Sequence, residues 1–140
     1  MITWLTEIKQ ALKDATFTIG DVTVRSTYPT SQPEYPLIII GENTTNTGVY
    51  VDAQPRIVTN LYQLEVYCKT MDISGTIYTS DEVSKILGVE VDTLLNTTFN
   101  FTQIGEPFGS PLVNDSSVYR WVIRYKAIID QQQNKFFRGL

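Results

Sequence analysis

A chain of 140 residues, 42% of them hydrophobic, is long enough for one domain with its own core, and a formal charge of -4 offers no broad basic field for a phosphate backbone. With no histidine and a single cysteine, Cys68, Ser-His-Asp chemistry, an intrachain disulfide and a cysteine-rich metal site are excluded. No run approaches the ~20 apolar residues of a membrane span, and the N-terminus lacks the cationic and apolar regions of a signal peptide, so cytosolic synthesis without membrane association is expected.

Residues 3–15 predict an amphipathic helix, because Trp4, Leu5, Ile8, Leu12 and Ala15 share one stripe while Glu7, Lys9, Lys13 and Asp14 lie largely off it. A short strand over 22–25 follows the Gly20-Asp21 turn. Prolines 29, 33 and 36 then predict an irregular segment, since each removes a backbone donor and restricts its predecessor. Leu37 to Ile40, the apolar run inside YPLIIIGE, predicts a strand covered on both faces. Residues 42–52, ENTTNTGVYVD, read either as a mobile surface loop or as a hairpin arm with residues 46–48 near its tip. In the second reading Val49, Tyr50 and Val51 are the apolar foothold by which the arm orders on a partner.

From Leu61 onward, Leu64, Val66 and Cys68 alternate with Gln63, Glu65, Tyr67 and Lys69, predicting a strand with Cys68 turned inward. Without a histidine to generate its thiolate, Cys68 reads as a small buried hydrophobe. Arg56, ahead of this strand, is a candidate contact cation. Residues 71–75 predict a turn and 77–95 a helix. Thr79 and Glu82 have the spacing of a capping box, while Gly88 weakens the middle enough to allow a kink or two shorter helices. Asn96 is the expected exit, followed by a strand over 98–104 and a surface loop over 106–117.

The strongest strand pattern is VYRWVIRYKAIID, residues 118–130. Tyr119, Trp121, Ile123, Tyr125, Ala127 and Ile129 point one way, fit for burial against helices. Arg120, Arg124 and Lys126 point the other way between apolar residues, where water or another subunit is expected. These three are candidate interface cations, with Glu65 and Glu106 as acidic counterparts on a neighbour. The last ten residues, QQQNKFFRGL, have no consistent face, and Phe136 with Phe137 form a candidate docking plug.

No GxGxxG, phosphate-loop or HExxH motif occurs, and Asp81 and Glu82, adjacent on a helix, face different ways. No catalytic, cofactor-binding or metal-binding residue is predicted, no cofactor is expected, and the protein is expected to be non-enzymatic. On residues alone, the chain reads as a small mixed domain of helices and strands.

The order of the pieces adds a resemblance. An N-terminal helix, YPLIIIGE, a polar arm, NLYQLEVYCKT, a second helix, and YRWVIRYKAIID with a short tail together resemble the tail terminator, or tail-completion, proteins of long-tailed bacteriophages. The likeness covers most of residues 1–130 and rests on element order and strand signatures. It implies an α+β fold, a twisted, mainly antiparallel or mixed sheet with two main helices on one side, as a single domain over 1–130 with a tail or docking extension over 131–140. It further implies a hexameric ring that caps the completed tail tube at the head-tail junction of the virion and presents a surface to the head. The expected partners are other copies of the chain, the tail-tube protein and a head-completion or connector protein, after synthesis in the host cytoplasm. A head-completion or neck connector protein has the same coarse pattern and is the alternative. A small nucleic-acid-binding module or an enzyme is a third reading, opposed by the missing basic and catalytic clusters.

Overall fold

Eleven residues, Trp4–Asp14, form α1. Ile8 and Leu12, one turn apart, are both fully buried, and Glu7 in the first turn and Lys13 in the last complement the helix dipole. The computed structural model describes the backbone of residues 4–29, 33–51, 54–130 and 135–136, and the side chains of residues 5–29, 33–42 and 59–128. After α1 come β1 (Thr23–Arg25), β2 (Leu37–Val51), β3 (Gln54–Cys68), β4 (Met71–Ile73), β5 (Thr76–Tyr78), α2 (Ser80–Phe99), β6 (Thr102–Gln103), β7 (Phe108–Pro111), β8 (Tyr119–Asp130) and β9 (Lys135–Phe136).

The main sheet runs β1-β2-β3-β8, with β1 parallel to β2 and every other pairing antiparallel. The outer edge of β8 is covered piecewise: β7 pairs with residues 119–122, β6 with 125–126 and β9 with 129–130. Three short segments thus satisfy the backbone of one long strand that would otherwise be an open template for pairing. Both helices lie on one face. Val83, Leu87, Val91, Leu95 and Phe99, spaced every four residues along α2, join Ile8 and Leu12 of α1 over Ile38, Ile40, Leu64, Val66, Cys68, Ile123 and Tyr125. The fold is the α+β arrangement of a mixed sheet with two helices packed on one side.

Several local expectations are corrected by the pairing. Of the two readings of residues 42–52, the pairing of 42–51 fits the hairpin arm and not the loop, with its tip displaced. These residues continue β2 against β3 through three register shifts, and the chain reverses between Val51 and Gln54, not at 46–48. Residues 71–75 do more than turn, since β4 and β5 form a small hairpin whose corner, Ser74 and Gly75, has φ of 53° and 87°, the left-handed pair of a type I′ turn. Ile77 therefore belongs to β5 and is 72% exposed, not part of the apolar side of α2. That helix starts at Ser80. Thr79 and Glu82 form the predicted box, with the Thr79 amide donating to Glu82 Oε1 at 3.0 Å.

Helix α2 is unbroken through Gly88 and runs past Asn96 to Phe99. The left-handed exit residue is Asn100, φ 56°, whose amide reaches the Asn96 carbonyl, while the Asn96 side chain donates to the Phe101 carbonyl at 3.1 Å. The predicted strand over 98–104 shrinks to Thr102–Gln103. Its alternating phenylalanines had another cause. Phe99 is buried at the end of the helix, and Phe101 is buried by stacking on Tyr62 at 4.9 Å. Within the predicted loop over 106–117, residues 108–111 pair with β8.

Candidate interaction surface

Alternation along β3 and β8 turns one set of side chains away from the helices. The register sets Tyr67 opposite Arg120, Glu65 opposite Val122, Gln63 opposite Arg124 and Leu61 opposite Lys126, and adds Phe108 opposite Val122 from β7. Residues directly opposite on an antiparallel pair share a face, so all of these lie on the side without α1 and α2.

A continuous polar ladder orders that face. Glu65 pairs with the Arg120 guanidinium and accepts hydrogen bonds from Gln63 Nε2 at 3.2 Å and from the Tyr67 hydroxyl at 3.3 Å. Arg120 Nε donates to the Tyr67 hydroxyl at 3.1 Å. Burial works against the Arg120 charge, but the bond to Glu65 and the attraction of its carboxylate outweigh it and raise the guanidinium pKa. For Tyr67, burial raises the pKa and the Glu65 charge adds to it, with Arg120 offsetting part. Further along, Arg124 Nε reaches Gln63 Oε1 at 3.4 Å, and its guanidinium sits 5.6 Å from the centre of the Phe108 ring, a cation-π distance.

The two ends of the face differ. Toward the start of β2, Leu37, Ile39, Tyr67 and Val118 form a second small core with Tyr35 and Leu112 against it. There the Tyr28 and Tyr35 hydroxyls are 2.8 Å apart, and the Lys69 ammonium lies over the Tyr35 ring. Toward the other end no such cover occurs among the described residues. Phe108 is 47% exposed, Ile128 is at 36%, and Arg124 and Lys126 are exposed.

No family model matches this chain, and no curated protein matches it.

Of the residues singled out from sequence, the structure gathers Glu65, Arg120, Arg124 and Lys126 on one face. It pairs Glu65 with Arg120 inside a single chain. Glu106 is exposed in the turn between β6 and β7. Val49, Tyr50 and Val51 lie at the far end of β2, with Val49 opposite Ile57 and Tyr50 opposite Pro55, and Arg56 lies in β3 beside them. Phe136 is in β9 opposite Ile129. The side chains of these five residues, and all of Phe137, lie outside the described residues. Sequence reasoning missed Phe108, hidden in a stretch rich in proline and glycine. The signal was an Asn-Asp-Ser turn over 114–117 between it and β8, spaced to fold residues 108–111 back on 119–122.

Chemically, this surface offers contact: guanidinium, ammonium, aromatic and aliphatic groups on a rigid sheet. Among the described residues no group of three or more Cys, Asp or Glu side chains is arranged to hold a metal ion. Cys68 is buried on the opposite face, where burial pushes its thiol up to about 11. Tyr125, also on the helix side, donates to Asp92 Oδ1 at 2.6 Å, and burial followed by that bond raises its pKa. No helix of the described residues is long and apolar enough to cross a membrane.

Proposed function

We propose that this chain is a non-enzymatic structural protein that assembles into a closed ring, caps the completed tail tube of a long-tailed phage and provides a surface for joining the head. The observation that carries the reading is the two-sidedness of the sheet. One face is covered by α1 and α2, and the other holds a ladder of Tyr67, Glu65, Arg120, Gln63 and Arg124 that ends in exposed Phe108 and Lys126. A cyclic assembly of more than two copies needs two different patches on each subunit, one meeting the other on its neighbour. A sheet with unlike sides supplies them. The sequence resemblance of the element order supports a tail terminator in particular, with six copies as its implied number.

Native mass spectrometry over a concentration series, with end-on electron microscopy of rings and capped tubes, tests the assembly. Addition of the protein to growing tail tubes tests the role. A closed oligomer that stops elongation is expected. A persistent monomer both free and on tubes refutes the ring. A ring that joins head connectors yet leaves elongation unchanged replaces the terminator reading with the head-completion one.

A further inference from the structure

We infer that neighbouring copies meet head to tail, with Phe108 and Arg124 on the helix-free face of one copy seated in the groove between α2 and residues 15–17 of the next. This rests on the ring reading above and names the two surfaces that would close it.

The groove lies on the helix layer. Ala15, Phe17, Val89 and Leu94 line it together with Thr93, Thr97 and Glu90, and this open groove has a volume of about 370 Å³. Val89 is 66% exposed there, one of the most exposed large hydrophobic side chains among the described residues. Both Glu90 oxygens accept from the Thr18 amide, at 3.1 and 3.3 Å. That donor is neutral, and a carboxylate has about four lone-pair sites, so Glu90 has room for a guanidinium.

The helix-free face carries the complement. Phe108 projects from edge strand β7 with Arg124 over its ring, an aromatic anchor with a cation attached. The charges divide in the same sense: α2 carries Asp81, Glu82, Glu90 and Asp92 against Lys85 alone, whereas among the described side chains of β3 and β8 the helix-free face carries Arg120, Arg124 and Lys126 against Glu65. Among the described residues the ion pair of that face is Arg120–Glu65, which leaves Arg124 and Lys126 to meet acidic groups elsewhere. Aromatic and arginine side chains in apolar pockets are the usual anchors of protein contacts. The Arg124–Glu90 pair would mainly set register and exclude wrong partners.

The sheet separates the anchor from the groove, so a copy cannot fill its own groove. Because the two patches lie on opposite faces of the sheet, a two-fold contact cannot bring each onto its counterpart at once. A second copy offered head to tail satisfies both and repeats until it closes.

Two variants of the full chain test this by mixing. Phe108→Ala with Arg124→Ala removes the anchor, and Val89→Lys fills the groove with a cation. All three positions are exposed, so circular dichroism should match the unaltered protein and unfolding should stay cooperative, with a midpoint lowered by the lost association and the lost Arg124–Phe108 contact. Each variant alone is expected to be monomeric. A 1:1 mixture should give a discrete heterodimer, because the intact anchor of one variant meets the intact groove of the other and nothing remains to propagate. Retention of the full oligomer by either folded variant, or two folded variants that stay monomeric when mixed, overturns the inference while leaving the ring reading intact. An unaltered chain that is monomeric at every concentration overturns both.

Discussion

Trp121 sits where two elements approach closely, and that makes Gly88→Ala a sharp test of the packing. A Cβ on Gly88 in α2 would lie 2.9 Å from both Cδ1 and Nε1 of the indole. A Cβ on Gly109 in β7 would lie 2.7 Å from Cε3 of the same ring and 2.5 Å from Tyr119 Cε1. The two glycines meet different edges of the indole, so the ring cannot retreat from one without pressing on the other element. In a helix interior, glycine to alanine normally stabilises by about 1 kcal/mol. Overpacking of this kind costs about 1–3 kcal/mol. The expected net effect of Gly88→Ala is therefore a loss of about 1 kcal/mol. In a Trp121→Val background the overlap is gone and the intrinsic helix gain should reappear, so the two changes should couple by about 2 kcal/mol. Urea unfolding of the four proteins at one fixed low concentration measures this, with the concentration held because association would add its own stabilisation. If Gly88→Ala stabilises equally in both backgrounds, the clamp on the indole is not present.

Glu65→Gln leaves the Arg120 guanidinium, 32% exposed, without its counter-charge and disturbs the bonds from Gln63 and Tyr67. A loss of about 1–2 kcal/mol in thermal or urea unfolding is expected, and unchanged stability would mean that the ladder does not organise the face. In alkali, the folded state holds the protons of Cys68 and Tyr62 more tightly than the unfolded chain, because burial raises them from 9.0 to about 11 and from 10.0 to about 12. Their contribution is complete below pH about 9 and is lost as pH rises through those folded values. The urea midpoint should therefore fall between pH 9 and 11, and a constant or rising midpoint contradicts the burial. Ser74→Asn, at a left-handed position of the β4–β5 corner, should stabilise by a few tenths of a kcal/mol because asparagine tolerates positive φ better than serine. Destabilisation in the same unfolding assay would argue against the type I′ turn.

Patterns confined to one element were legible in the sequence. The period of two in residues 119–130 placed Trp121, Ile123 and Tyr125 under the helices and the three cations on the other side, and the register agrees. Cys68 inward and the Thr79–Glu82 box followed for the same reason, since strand alternation and capping depend on residues only a few positions apart. The places where sequence reasoning failed are those where distant residues decide. Phe99 and Phe101 alternate like a strand, yet the first ends a helix and the second stacks on Tyr62. Gly88 reads as a helix breaker until Trp121, 33 positions later, supplies the ring that needs its bare backbone. Residues 43–51 and 108–111 carry weak local preference and become strands because a partner strand satisfies their amides and carbonyls. Charge and face marked Glu65 and Arg120 as contact residues, but only the pairing of β3 with β8 showed that the two meet each other within one chain. Cross-strand proximity is a property of the folded backbone, and side-chain periodicity does not encode which strand will lie alongside.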